Sequence, residues 1–101
     1  MAERKRLAVE YSSSSLNSAS QIITYLRSKF SENEVKKFFQ LLKDFEQIIG
    51  IYPTLYPESS KKKIRRAILS KELSIYYFVD KKRINVIAIV DNRWEKRRNL
   101  R

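Results

Sequence analysis

The chain has 101 residues, enough for one small domain, and carries 22 lysines and arginines against 11 acids, a formal net charge of +11. It has no cysteine and no histidine, which excludes disulfides, thiolate metal sites and imidazole acid–base chemistry, and its single glycine excludes a phosphate-cradling glycine loop. The apolar fraction of 43% is that of a globular protein, and no apolar run approaches the roughly 20 residues of a membrane span, so a soluble, cytoplasmic protein without metal or cofactor is expected.

Arg4–Tyr11 alternates in the manner of a half-buried strand, with Leu7, Val9 and Tyr11 on one side. Ser12–Ser15 come next, and serine hydroxyls cap helix starts well. Leu16, Ala19, Ile22, Ile23, Leu26 and Phe30 then recur at helical spacing, which predicts an amphipathic helix over 14–30. Ser31 and Glu34 read as a capping box, with the Glu34 side chain returning to the Ser31 backbone N–H. The second helix is predicted over 32–50, with an apolar stripe of Val35, Phe38, Phe39, Leu42, Phe45 and Ile49 widened by Leu41 and Ile48. Phe38, Leu42 and Phe45 read as core, and the width of the stripe raises the alternative of a partner groove. Gly50 stands where a left-handed C-terminal residue is wanted, and Pro53 forbids continuation. The two helices should form an antiparallel hairpin.

Ile51–Ser60 is an irregular connection. Beyond it lie three β-type runs, Lys63–Leu69, Leu73–Val79 and Ile84–Val90, joined by breaks short enough for hairpins. They predict a three-stranded antiparallel meander. In the first, Ile64, Arg66 and Ile68 share one face. In the last, Ile84, Val86, Ala88 and Val90 share one face. The second and third strands are apolar on both faces, as for a sheet covered by helices on one side and by something else on the other. Residues 95–101 form a basic tail. The fold class is therefore α+β, a single domain over 1–101 with the order strand, helix hairpin, three-stranded meander.

Charge is concentrated in the second half. Residues 58–101 carry a net +9 and residues 1–57 a net +2, which points to a polyanionic or acidic partner. No paired-carboxylate, nucleophile–base or metal constellation stands out. The available chemistry is guanidinium and phenol. Arg65, Arg66 and Arg93 suit a phosphate clamp, and Tyr76 or Tyr77 suits base stacking or proton donation. Structural roles compete with these: Tyr77 as core, Arg93 paired with Asp91 or Glu95, and Trp94 as a lid on the core edge.

With IRRAIL, SIYYFVD and INVIAIVDNRW on successive strands after a strand and helix hairpin, the chain resembles the RelE/ParE superfamily of toxins from type II toxin–antitoxin modules, over about residues 6–96. The resemblance implies a β-α-α-β-β-β fold and a cognate antitoxin that lays an amphipathic, often acidic segment on the helices and sheet in a hetero-oligomer. It implies growth inhibition or plasmid stabilisation as the biological role. RelE-like members cut messenger RNA on the ribosome; ParE-like members inhibit DNA gyrase. Against the RelE pattern, Arg93 matches the arginine closing the last strand, and Arg66 or Arg65 matches a basic position on the first meander strand. Ser74 stands where an arginine is expected, and no tyrosine or histidine comes after Ile89. The missing cation and proton-transfer group favour the ParE-like reading, with Arg65, Arg66, Tyr77, Arg93 and Trp94 as target contacts and Leu26, Phe39 and Ile49 as antitoxin contacts. The alternatives are a ribosome-dependent endonuclease using Arg66 and Arg93, a basic nucleic-acid-binding module, or an inactive relative.

Overall fold

The two helices lie together on one face of a four-stranded sheet, and the core fills the space between the layers. The structure, a computed structural model, describes residues 6–59 and 62–94. Its elements are β1 (Ala8–Tyr11), α1 (Ser13–Lys29), α2 (Glu32–Ile51), β2 (Arg65–Ile68), β3 (Leu73–Val79) and β4 (Arg83–Asp91). This is the expected β-α-α-β-β-β order. The expected basic tail, 95–101, lies outside the described residues.

The sheet order is β1-β4-β3-β2. The meander pairs antiparallel, and β1 closes on β4 in parallel, with Val9 opposite Ile84 and Tyr11 opposite Val86. That parallel closure is possible because the helix hairpin carries the chain back across the sheet.

Local chemistry fixes the helix ends. Ser12 caps α1, its hydroxyl accepting from the Ser15 N–H at 3.0 Å. Ser31 caps α2, its hydroxyl accepting from Glu34 N–H at 3.4 Å. The predicted return half of that capping box is not made. The Glu34 carboxylate turns instead to Lys37 and Arg93, since two cations outcompete one backbone amide.

Gly50 does not end α2 as a left-handed residue. It is the penultimate residue of α2, and no glycine here has positive φ. Its use is close approach: the Leu7 N–H donates to the Gly50 carbonyl at 2.8 Å, and a Cβ at Gly50 would stand 2.5 Å from Arg6 Cγ and 3.0 Å from the Leu7 carbonyl oxygen. The glycine lets the chain enter β1 against the end of α2.

A β-bulge changes the faces of β4. Tyr76 pairs with Ala88 and Tyr77 with Val86, leaving Ile87 as the extra residue. Ile84 and Val86 therefore face the helices, but beyond the bulge Ile89 and Asp91 take over that face. The uninterrupted alternation expected for Ile84–Val90 fails at this point, because one inserted residue inverts every position after it.

Candidate functional site

Arg65 lies on the helix side of β2, opposite Tyr77. Its Nη1 donates to the Tyr56 carbonyl at 2.6 Å, and its Nη2 lies 3.5 Å from Glu58. With 17% of its side chain exposed, it straps down the connection after α2. Tyr77, expected as a target contact, is a core residue with no exposed surface. Its ring meets Phe45 edge-on at 5.6 Å, and its hydroxyl donates to the Pro53 carbonyl at 3.0 Å. Burial pushes its pKa up to about 12, although the nearby Arg65 charge works against the shift.

Arg93 sits on the first turn after β4, facing the helix hairpin. Its Nε and Nη2 donate to the two oxygens of Asp91 at 3.2 and 2.9 Å, and its Nη1 donates to Glu34 at 3.0 Å. Its guanidinium carbon stands 5.1 Å from the Phe30 ring centroid. Asp91 is fully buried and also caps the turn, accepting from the backbone N–H groups of Arg93 and Trp94. The hydrogen bond from Arg93, and after it that from Lys37, holds the Glu34 carboxyl below the usual glutamate range. Trp94 packs on α1, its ring 5.7 Å from that of Tyr25.

Arg66 is different. It projects from the sheet face opposite the helices, exposed, with its guanidinium carbon 5.8 Å from the Tyr76 ring centroid and Nη2 3.4 Å from the Ser74 hydroxyl. Arg66 and Arg93 thus lie on opposite faces, and the shared phosphate clamp expected of them is not assembled.

The other feature is a groove of about 680 Å³ between α1 and α2. Leu16, Ala19 and Ile23 form one wall, and Phe39 and Leu42 form the other. Leu16 is 56% and Phe39 52% exposed. At one end the Tyr11 hydroxyl donates to Glu46 at 2.5 Å; burial first, and then this bond, raises the phenol's pKa. Of the three expected antitoxin contacts, Phe39 stands at the surface, whereas Leu26 and Ile49 have no exposed surface. Leu42 lines the groove as well as the core, in keeping with the wide α2 stripe. The Leu16–Ala19–Ile23 wall is present in the α1 pattern but merges there with the core stripe. Among the described residues no acidic cluster could hold a metal ion, and no helix is long and apolar enough to cross a membrane.

No family model matches the chain, and no curated protein matches its sequence significantly. Solved structures do match. The chromosomal ParDE toxin–antitoxin system of P. aeruginosa aligns with a TM-score of 0.69 at 12% identity, over 85% of this chain and 96% of that one. A conserved hypothetical protein from Helicobacter pylori gives 0.57 at 11% identity over 86% and 96%. The YoeB dimer from Staphylococcus aureus gives 0.51 at 18% identity over 84% and 95%. The fold is that of the RelE/ParE-like toxins.

Proposed function

We propose that this chain is the toxin of a type II toxin–antitoxin module, that it acts in the ParE manner by binding and poisoning DNA gyrase without cleaving RNA, and that a cognate antitoxin in the same cytoplasm silences it. The fold supports the toxin reading. The observation that favours the ParE-like branch is the double pairing of Arg93. A guanidinium already satisfied by Asp91 and Glu34 has little left to offer a phosphate or the charge of a transition state. Ser74 supplies no replacement cation, and the chain has no histidine.

In this reading the α1–α2 groove seats an amphipathic antitoxin segment, with Phe39 among its contacts. Arg66 is the target contact with the most accessible charge. Arg65, Tyr77, Arg93 and Trp94 shape the surface from beneath. The test is induced expression of the chain alone in a bacterial host. Growth arrest with a DNA damage response and intact message is expected, relieved by the antitoxin. Arrest with cut ribosome-bound message would transfer the chain to the RelE-like branch, with Arg66 as its phosphate-binding residue.

A further inference from the structure

Ile68 is 59% exposed, more than any other large apolar side chain among the described residues, and it stands on β2, an edge strand. A single apolar side chain on a surface is ordinary, but this one begins an apolar face. Ile68 lies opposite Ser74, and Ser74 opposite Val90; two residues along, Arg66 lies opposite Tyr76, and Tyr76 opposite Ala88. Phe78 follows on β3, opposite Asn85. These side chains alternate with the buried Ala67, Ile75 and Tyr77, so they project from the sheet face turned away from the helices. Phe78 is 36% exposed, and Tyr76, Ala88 and Val90 are half-buried. The gyrase reading uses only Arg66 of this face.

The free charges at its rim are of one sign. Lys62 and Lys63 precede β2, and Lys81 and Lys82 lie between β3 and β4, at the same end of the antiparallel strands. Lys71 lies between β2 and β3, at the other end. All five are exposed, and none has an acidic partner among the described residues. The nearby acids are committed. Glu10 on β1 is neutralised by Arg83 at 2.8 Å, and Glu58 lies 3.5 Å from Arg65. Asp80 serves its own turn, accepting from the Lys82 and Arg83 N–H groups and from the Asn85 amide. An apolar centre thus lies between unpaired cations at both ends of the strands.

We propose that this face docks on an anionic lipid surface, with Ile68, Phe78 and Tyr76 entering the boundary between headgroups and acyl chains and with Arg66 and the five lysines meeting the headgroup charge. Aliphatic and phenyl groups gain by leaving water for that boundary, and tyrosine, an apolar ring with a polar tip, suits the boundary itself. Lysine stems can lie along apolar surface while their ammonium groups reach outward. An anionic leaflet presents its charge over its whole area, which matches cations spread over both ends of the strands and not gathered in a pocket. The aliphatic Ile68 favours lipid over a polynucleotide, whose bases take up rings by stacking and leave a branched aliphatic group unmatched. The inference is independent of the toxin reading, because it concerns a surface that the chain binds by itself.

The test is co-sedimentation of the purified full chain with vesicles of phosphatidylcholine alone and of phosphatidylcholine with about one third phosphatidylglycerol. Binding to the anionic vesicles and not to the neutral ones is expected. Ile68→Ser should weaken it about tenfold, because a mostly exposed isoleucine then loses its transfer from water. Lys81→Ala and Lys82→Ala should each weaken it about fivefold. Unchanged thermal melting certifies the fold of each variant. A second measurement separates insertion from adsorption. The chain has no cysteine, so Ile68→Cys accepts an environment-sensitive dye at that one site. Its emission should shift to the blue on anionic vesicles, whereas the same dye on Ser14→Cys, at an exposed position of α1, should not respond. An unmoved dye at position 68 on sedimented vesicles, or Ile68→Ser binding as tightly as the parent, would overturn the proposal, because charge alone would then account for the affinity. Equal binding to neutral vesicles, or capture by oligonucleotides and not by vesicles, would overturn it as well. Growth arrest is not part of the readout, so failure here leaves the toxin reading intact, and failure of the toxin reading leaves this one.

Discussion

Arg93 grips Asp91 from only two residues away. Two side-chain nitrogens reach separate carboxylate oxygens at 3.2 and 2.9 Å, and the Arg93 backbone N–H adds a third bond at 2.9 Å. The carboxylate is wholly enclosed, while the arginine keeps 24% of its side-chain surface. Charge, hydrogen bonding and the end of β4 are thereby tied to one another, and Glu34 extends the tie to the start of α2.

The first prediction concerns this pair. Arg93→Ala leaves the Asp91 carboxylate buried with only backbone donors. Breaking one side of a buried ion pair costs about 3–5 kcal/mol, and the partial exposure of Arg93 places this case near the lower figure. In a domain of this size, about 3 kcal/mol corresponds to a fall of roughly 12–24 °C in melting temperature. Thermal unfolding of the variant checks it. A shift of only a few degrees would mean that the pair behaves as a surface contact.

Gly50→Ala separates two opposing effects. Alanine favours a helix over glycine by about 1 kcal/mol. Here the new methyl meets Arg6 Cγ at 2.5 Å and the Leu7 carbonyl at 3.0 Å. The arginine stem can move; the carbonyl belongs to backbone whose N–H is bonded to Gly50 itself. Overpacking of this kind costs about 1–3 kcal/mol, so a net loss of about 1 kcal/mol is expected in urea unfolding. A stabilised variant would show that the lead into β1 relaxes freely.

These two sites also separate the legible parts of the chain from the rest. Element order and type are legible because the apolar periods are clean: α1 and α2 lie within a residue of their expected ends, and Leu73–Val79 is β3 as expected. The place of β1 in the sheet is not legible, since its parallel closure on β4 depends on where the hairpin lands. The faces of β4 escape a periodic reading because a bulge has no periodic signature. Gly50 reads as a cap because a sequence displays a glycine's neighbours along the chain and not the atoms that crowd it in space. At the candidate site, the pairing of Arg93 with Asp91 is among the readings that the sequence supports. Leu26 and Ile49 fall in the core because stripe membership alone cannot tell the inner edge of a stripe from the outer. Neither can it say that Phe39 faces solvent while Phe38 does not.

That distinction gives a third prediction. Leu26→Ala and Ile49→Ala empty fully buried positions and should each cost about 2–5 kcal/mol. Phe39→Ser and Leu16→Ser change exposed groove residues and should stay within about 1 kcal/mol of the parent. In the proposed toxin reading, the groove variants should still arrest growth yet escape antitoxin, whereas the core variants should lose arrest through unfolding. Co-expression with antitoxin, read beside urea unfolding, checks both arms. Groove variants neutralised as well as the parent would move the antitoxin to another face.

Two phenols, the buried Tyr77 and the half-buried Tyr11, give the last prediction. Tyr77 is pushed up to about 12 by burial, and Tyr11 is raised by burial and by its bond to Glu46. An unfolded tyrosine ionises near pH 10. Between about 10 and 12 the folded chain therefore holds protons that the unfolded chain has released, so stability falls as pH rises through that window and is complete below it. Phenolate absorbance should show Tyr11 and Tyr77 titrating late, and only together with unfolding. Tyr77→Phe removes one late titration and weakens the alkaline loss. It costs about 1 kcal/mol at neutral pH, because the Pro53 carbonyl loses its donor. If Tyr11 and Tyr77 ionise near pH 10 while the fold persists, their assignment as proton-holding groups of the folded state is wrong.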